Sequence, residues 1–203
     1  MPAATLHHMT LPETVPTGQR TIRWAATDTP LGRLVLGATD AGLCWVSLAG
    51  AEHTLLTELR DAFPRAVIEA DDVGAMAAML TAVTARLAGD RDLPVVPIDL
   101  QVTAFQQRVL DALMDIPYGE TRSYSQIAAM IGRLGAARAV ANVCATNRVA
   151  VVIPCHRVIH ADGSMSGYRW GNQIKKALLH AEGATVPRGD GAAPAAVRRR
   201  RAA

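Results

Sequence analysis

Apolar and polar positions first alternate over short runs and later settle into the three-to-four-residue spacing of helices. Thr21 to Thr27 and Arg33 to Ala38 are predicted strands, separated by the turn chemistry of Asp28-Thr29-Pro30-Leu31-Gly32. Asp40-Ala41-Gly42 marks another turn, and Leu43-Cys44-Trp45-Val46-Ser47-Leu48 follows as a third strand. Leu55, Leu56, Leu59 and Phe63 then recur at helical spacing, so an antiparallel sheet followed by a helix is expected. A second helix is predicted from Asp71 to Leu87, with Met76, Met79, Leu80, Val83 and Leu87 on one stripe. Its methionines read as core filler rather than a metal box. Ala88 to Pro94 breaks the pattern, and Val95 to Leu100 reads as extended. A domain boundary is placed between about Leu87 and Val102, in this polar, proline-containing connection.

The second half is denser in helix. Thr103 is a predicted N-cap with Gln106 three residues on, and Phe105, Val109, Leu110 and Leu113 form the apolar face behind it. Ser123 is positioned to cap a second helix that carries Tyr124, Ile127, Ala128 and Ile131 on one side. Gly132-Arg133-Leu134-Gly135 turns the chain into a third helix, Ala136 to Thr146. This spacing matches a helix-turn-helix and also occurs in ordinary bundles. The third helix is rich in alanine, which lets it approach a groove or another backbone closely; on its own that composition is explained as well by tight packing. Val149 to Ile153 reads as a short buried strand, Arg157 to His160 as extended, and Asn172 as the cap of a last helix ending near Glu182.

Composition narrows the classes without choosing among them. The 203 residues are 50% hydrophobic and carry a formal charge of +3, part of which sits in Arg198-Arg199-Arg200-Arg201. The body is therefore close to neutral, and any nucleic-acid binding must come from local placement of charge. Cys44, Cys144 and Cys155 form no CxxC pair, so no metal site and no cofactor is expected. His7 and His8 belong to a polar lead rather than a metal site. With no signal peptide or membrane span in view and an odd number of thiols, the expected compartment is the cytoplasm.

The candidate chemistry lies in Pro154-Cys155-His156-Arg157. Proline fixes its own backbone angle and restricts Ile153, so the thiol comes at a defined point after a stiff break. Two cations beside a thiol are expected to favour the thiolate, which is the nucleophile. Glu182, at the C-terminal end of the last helix, opposes the helix dipole by roughly 0.3–1 kcal/mol and calls for a partner, for which a histidine cation is the natural choice.

Taken together these stretches resemble the O6-alkylguanine-DNA alkyltransferases, and among them the alkyltransferase portion of the bacterial Ada-type members. The resemblance is carried by Phe105-Gln106-Gln107, Ile116-Pro117-Tyr118-Gly119-Glu120-Thr121, Ser123-Tyr124, Ala137-Arg138-Ala139-Val140-Ala141, Asn147, Ile153 to Val158, and Asp162-Gly163 through Ser166-Gly167-Tyr168-Arg169-Trp170-Gly171. It covers nearly all of residues 103 to 183, and the first half only loosely. It implies an α+β fold: a ribonuclease-H-like antiparallel sheet with helices over 19–95, then a winged-helix-like domain with a helix-turn-helix over 96–184. A disordered lead (1–18) and a disordered basic tail (185–203) would flank them.

The same resemblance implies a single-use transfer of an alkyl group from guanine O6, and by extension thymine O4, to Cys155. His156 would take the thiol proton through a water, Glu182 would orient His156, and Asn147 would link the recognition helix to the active-site strand. Tyr124 would help rotate the nucleotide and protonate the leaving guanine, with Lys175 near the leaving oxygen. Arg138 would fill the vacated stack, with Ser125, Ala136 and Ala139 also facing DNA. Val158, Met165, Ser166 and Tyr168 would line the base pocket. The implied partner is double-stranded DNA containing O6-alkylguanine, bound through its minor groove by a monomer, with no membrane involved. Two departures stand out. The turn Arg133-Leu134-Gly135 stands where this family commonly has a proline followed by a basic residue, and no four-cysteine zinc domain is matched. The competing readings are a damage binder of the alkyltransferase-like type, a Cys-His hydrolase with Asn142 or Asn147 orienting the histidine, and a helix-turn-helix regulator. The first replaces the cysteine that is present here, and the last leaves Pro-Cys-His-Arg unexplained.

Overall fold

A computed structural model describes residues 20–71, 74–91, 94–165 and 167–184. The expected lead (1–18), the basic tail (185–203) and the pocket residue Ser166 lie outside them. Strands β1 (Thr21–Thr29), β2 (Gly32–Thr39) and β3 (Gly42–Leu48) form an antiparallel meander, with Thr29 opposite Gly32 at the first turn and Thr39 opposite Gly42 at the second. Helix α1 (Glu52–Ala62) then crosses back so that β4 (Val67–Ala70) lies parallel to β1, giving the order β3-β2-β1-β4. The sheet is thus mixed rather than purely antiparallel. β4 escapes the sequence pattern because Val-Ile-Glu-Ala is short, half-exposed and defined only by its partner.

Helix α2 (Ala77–Ala88) begins six residues later than its periodicity predicts. The Asp71 carboxylate accepts hydrogen bonds from the Ala75 and Met76 N–H groups, at 3.1 and 2.7 Å, and this turn occupies the expected first turn of the helix. Its end is fixed at Gly89, whose φ of 94° favours glycine and where a Cβ would stand 2.3 Å from the Ala181 carbonyl oxygen. Residues 95–100 form no strand. Instead Pro97 O accepts from Leu43 N–H at 2.8 Å and Leu43 O from Asp99 N–H at 2.9 Å, while Arg148 O accepts from Val46 N–H at 2.7 Å. Loop backbone therefore seals the open edge of β3, as an exposed edge requires.

In the second half, α3 (Ala104–Met114) and α4 (Tyr124–Met130) each start with the full capping box that Thr103/Gln106 and Ser123/Gln126 encode. α5 (Ala137–Ala145) follows the turn 131–136. The paired strands β5 (Arg122–Ser123) and β6 (Val158–Ile159), with α6 (Asn172–Ala181), complete the fold. Asn172 does not cap α6: Gly171 holds that position, and the Asn172 Nδ2 donates to Met165 O at 2.8 Å.

Two apolar clusters hold the molecule together. Ile22, Val35, Cys44, Leu55 and Leu59 join one sheet face to α1. On the other face Leu34, Leu36, Val46 and Leu48 are continuous with Val83, Val109, Leu113, Ile127, Val140, Val149, Ile153 and Leu178. Each such side chain contributes about 1.5–3 kcal/mol by leaving water. The architecture is mixed α+β, with one core running through both halves of the chain, and no described helix is long and apolar enough to cross a membrane.

Candidate active site

The run 149–153 is a tight turn, not the expected strand. Only an isolated bridge joins Ala150 to Ile153, and Val151 takes φ = 78°. A β-branched side chain is rarely found there, and such strain costs about 1–3 kcal/mol and persists only where the surroundings impose it. The brace is Asn147, 5% exposed. Its Oδ1 accepts from Val149 N–H at 3.1 Å and its Nδ2 donates to Ile153 O at 3.0 Å, so one side chain spans the turn. The chain then enters a single 3-10 turn, Cys155–Arg157. His156 therefore does not alternate with Cys155 across a strand, as adjacent residues in an extended run would.

Charge in the turn is directed at Glu182 rather than at the thiol. His156 Nε2 lies 2.8 Å from Glu182 Oε1, and Arg157 forks onto the same carboxylate through Nε (2.8 Å) and Nη2 (2.9 Å). Arg157 Nη1 also donates to Ile116 O at 2.8 Å. Burial alone would raise the Glu182 carboxyl, but the hydrogen bonds and charges of His156 and Arg157 hold it down at about 2. Burial keeps the His156 imidazole below its ordinary range, against the pull of Glu182. The helix-end carboxylate thus takes Arg157 as its cation, and His156 stays neutral, contrary to the sequence expectation. A neutral ring facing a carboxylate through Nε2 carries its proton there, which leaves Nδ1 as the acceptor. That atom is buried without a partner among the protein's own groups.

Cys155 is 5% exposed, and burial pushes its thiol up, the reverse of the expected depression. The Asn147 amide, then the Lys175 charge, and more weakly Arg169 pull it back. Lys175 is 2% exposed, donates through Nζ to Val158 O at 2.5 Å, and is lowered by burial. The site is thus a protected thiol ringed by groups that favour its anion, with a neutral base one residue away. It suits a reaction in which the proton leaves as substrate arrives.

Of the other predicted residues, Tyr124 opens α4, half-buried and pushed to about 12, first by burial and then by the Cys144 and Cys155 thiols. Its ring stands edge-on to His160 at 5.4 Å, a neighbour that sequence reasoning missed. Val158 is buried at the start of β6, and Met165 and Tyr168 lie half-buried on the loop beyond it. The Tyr168 ring packs edge-on against Trp170 at 5.6 Å. Arg138 and Ala139 are exposed on the first turn of α5, Ala136 is half-buried at its N-cap, and Ser125 is exposed on α4. Cys155, His156, Glu182, Asn147 and Lys175 are thus all buried around one turn, with His156 bonded to Glu182 while Asn147 and Lys175 bond to the backbone on either side of Cys155, whereas Arg138, Ala139 and Ser125 are exposed. The turn-forming role of Val151 and the reach of Arg157 had no local signal.

Comparison with known proteins matches residues 104–184 to the DNA binding domain of 6-O-methylguanine DNA methyltransferase. The methylated-DNA–protein-cysteine methyltransferase of Mycobacterium tuberculosis is 40% identical over 167 residues, covering 82% of this chain and 95% of that protein. The chain belongs to this methyltransferase family. The bifunctional transcriptional activator and DNA repair enzyme Ada of Escherichia coli is 43% identical over 164 residues, or 79% of this chain. The chain spans only 45% of Ada's length. Among solved structures, Mycobacterium tuberculosis OGT in complex with DNA aligns with a TM-score of 0.66 at 37% identity, over 79% of this chain and 92% of that one. Membership in the methyltransferase family extends across the sheet half as well as the helical half, since these alignments exceed residues 104–184.

Proposed function

We propose that the protein repairs DNA directly, moving the alkyl group from O6-alkylguanine, and from O4-alkylthymine, to Cys155 in one irreversible step. The observation that carries this reading is the buried thiol beside a histidine whose tautomer is fixed by Glu182. In the step, the thiol proton passes to His156 Nδ1 through a bridging water, and the sulfur–carbon bond forms as the carbon–O6 bond breaks. The departing guanine takes a proton from the Tyr124 phenol, which makes it a better leaving group. Lys175 supports the thiolate and stands near the leaving oxygen, and Asn147 holds the turn rigid. The base would lie against Val158, Met165 and Tyr168.

A guanine inside a duplex cannot reach so buried a sulfur, so the nucleotide must be flipped, at a cost of a few kcal/mol. α4 and α5 act as a helix-turn-helix laid in the minor groove, with Ser125, Ala136 and Ala139 close to the backbone and Arg138 in the vacated stack. The two halves correspond to a ribonuclease-H-like and a winged-helix-like unit, and the protein works as a cytoplasmic monomer. Incubation with a duplex carrying one O6-methylguanine, followed by intact-protein mass spectrometry, tests the assignment. One methyl increment per chain, on the peptide containing Cys155, is expected, and an unmodified protein with excess duplex overturns it.

Arg138→Ala should slow repair in duplex DNA far more than reaction with free O6-benzylguanine, because a free base needs no flipping. Parallel single-turnover rates on the two substrates check this, and equal losses would place Arg138 in the fold or the pocket instead.

A further inference from the structure

The stretch 167–171, which carries Tyr168, packs Tyr168 and Trp170 against the main core, with Lys175 Nζ 5.9 Å from the Tyr168 ring centre. Asn172 Nδ2 holds Met165 O at 2.8 Å, and Gly171 N–H donates to Tyr168 O at 2.9 Å. A further tie runs to the other half of the chain. The Arg169 guanidinium lies over the Trp45 ring at 4.4 Å and pairs with Glu58 of α1 at 3.3 Å. Glu58 is itself held by the Ser47 hydroxyl at 2.8 Å. Trp45 is 3% exposed and stands edge-on to Phe63 at 6.1 Å, and Phe63 carries the Arg148 guanidinium at 4.9 Å. Arg148 follows Asn147 directly, and its carbonyl accepts from Val46 N–H, next to Trp45. One aromatic pair in the sheet half therefore grips the chain on both sides of Cys155, at the loop beyond it and at the residue after its brace.

We propose that Arg169 is a positioning residue: seated on Trp45 and paired with Glu58, it ties the loop lining the base pocket to the N-terminal half, which thereby sets the rate of transfer. This rests on the function proposed above. Arg169 touches no reacting atom; it acts by fixing where Tyr168 stands, and its charge also favours the Cys155 thiolate. A small misplacement of a pocket wall is enough to cost about tenfold or more in rate. The planar guanidinium matters because it stacks on indole while pairing with a carboxylate, which an ammonium does less well.

The test compares Arg169→Gln, Arg169→Lys, Glu58→Gln and the double Gln variant on methylated duplex. Arg169→Gln should slow single-turnover transfer about tenfold with duplex affinity and melting temperature unchanged, and the lysine variant should recover part of the loss. Glu58→Gln should slow it less, and the double variant should be no slower than Arg169→Gln, as expected for two residues acting as a unit. Hydrogen exchange at the Gly171 amide should quicken in Arg169→Gln, a readout that needs no chemistry. If the wild type transfers no methyl group, the functional reading fails while the exchange experiment still judges the tie. Wild-type rates in Arg169→Gln, additive losses, unchanged exchange, or a rate loss matched by lost duplex affinity would each overturn the proposal.

Discussion

Cys155→Ser is expected to abolish alkyl transfer while leaving binding to the damaged duplex largely intact. Burial already pushes the thiol up, and Asn147, Lys175 and more weakly Arg169 pull it back, with a neutral His156 available as the base. A serine hydroxyl is a far weaker acid, and the same groups cannot ionise it near neutral pH. The change removes little volume from a turn held by Asn147, so the fold should survive. Intact mass after incubation with O6-methylguanine duplex, alongside an affinity measurement at fixed salt, separates the two effects. Cys44 and Cys144 serve as internal controls: burial pushes both thiols to about 12, and neither adjoins the His156–Glu182 pair. A methyl group recovered on either would defeat the assignment.

Glu182→Gln should damage stability and rate together. The variant leaves Arg157 facing a neutral amide in a nearly closed site, and breaking a buried pair in this way costs about 3–5 kcal/mol. It also frees the His156 tautomer, so transfer should slow by a factor on the order of 10² or more. The carboxylate makes a further prediction about acid. Its folded value of about 2 lies below the ordinary 4.5, so its contribution is complete above pH 4.5 and is lost as pH falls toward 2. The shift corresponds to roughly 3 kcal/mol. His156 acts in the same direction: lowered by burial, it takes up a proton less readily in the folded state than in the unfolded chain, whose imidazole titrates at about 6.5. Denaturation midpoints should therefore fall steadily on acidification from pH 7. In Glu182→Gln the slope below pH 4.5 should become shallower; an unchanged slope would mean that Glu182 is not among the groups being titrated.

Those parts of the fold that depend on local chemistry were legible in the sequence. Thr103 with Gln106, and Ser123 as a cap, announce helix starts that the structure repeats, and the alternating runs locate the three meander strands. What escaped depends on partners far along the chain. β4 exists only because α1 returns the chain beside β1. Val149 to Ile153 has the composition of a buried strand, and nothing nearby reveals that Asn147 will fold it into a turn with Val151 in the left-handed region. In the site, the sequence pointed to a cysteine beside two cations but not to where those cations face. The 3-10 turn aims both at Glu182, so the activation expected from adjacent charge does not occur. Lys175 likewise sits among apolar positions of α6, and only the structure shows it buried with its amine on Val158 O.

The brace at Asn147 also bears on what this lineage can become. The position asks for a donor and an acceptor on one short, uncharged side chain, because it must donate to Ile153 O and accept from Val149 N–H. Aspartate keeps the acceptor, loses the donor and sets an anion beside the sulfur. Serine is too short to reach both partners, and glutamine must place an extra methylene in a buried position. Hydrophobic neighbours in the core can drift by trading volume with one another, but among the described residues no other side chain bonds both Val149 N–H and Ile153 O. Mutational paths that reshape the surface or the pocket remain open, whereas every path through position 147 first undoes the turn that presents Cys155.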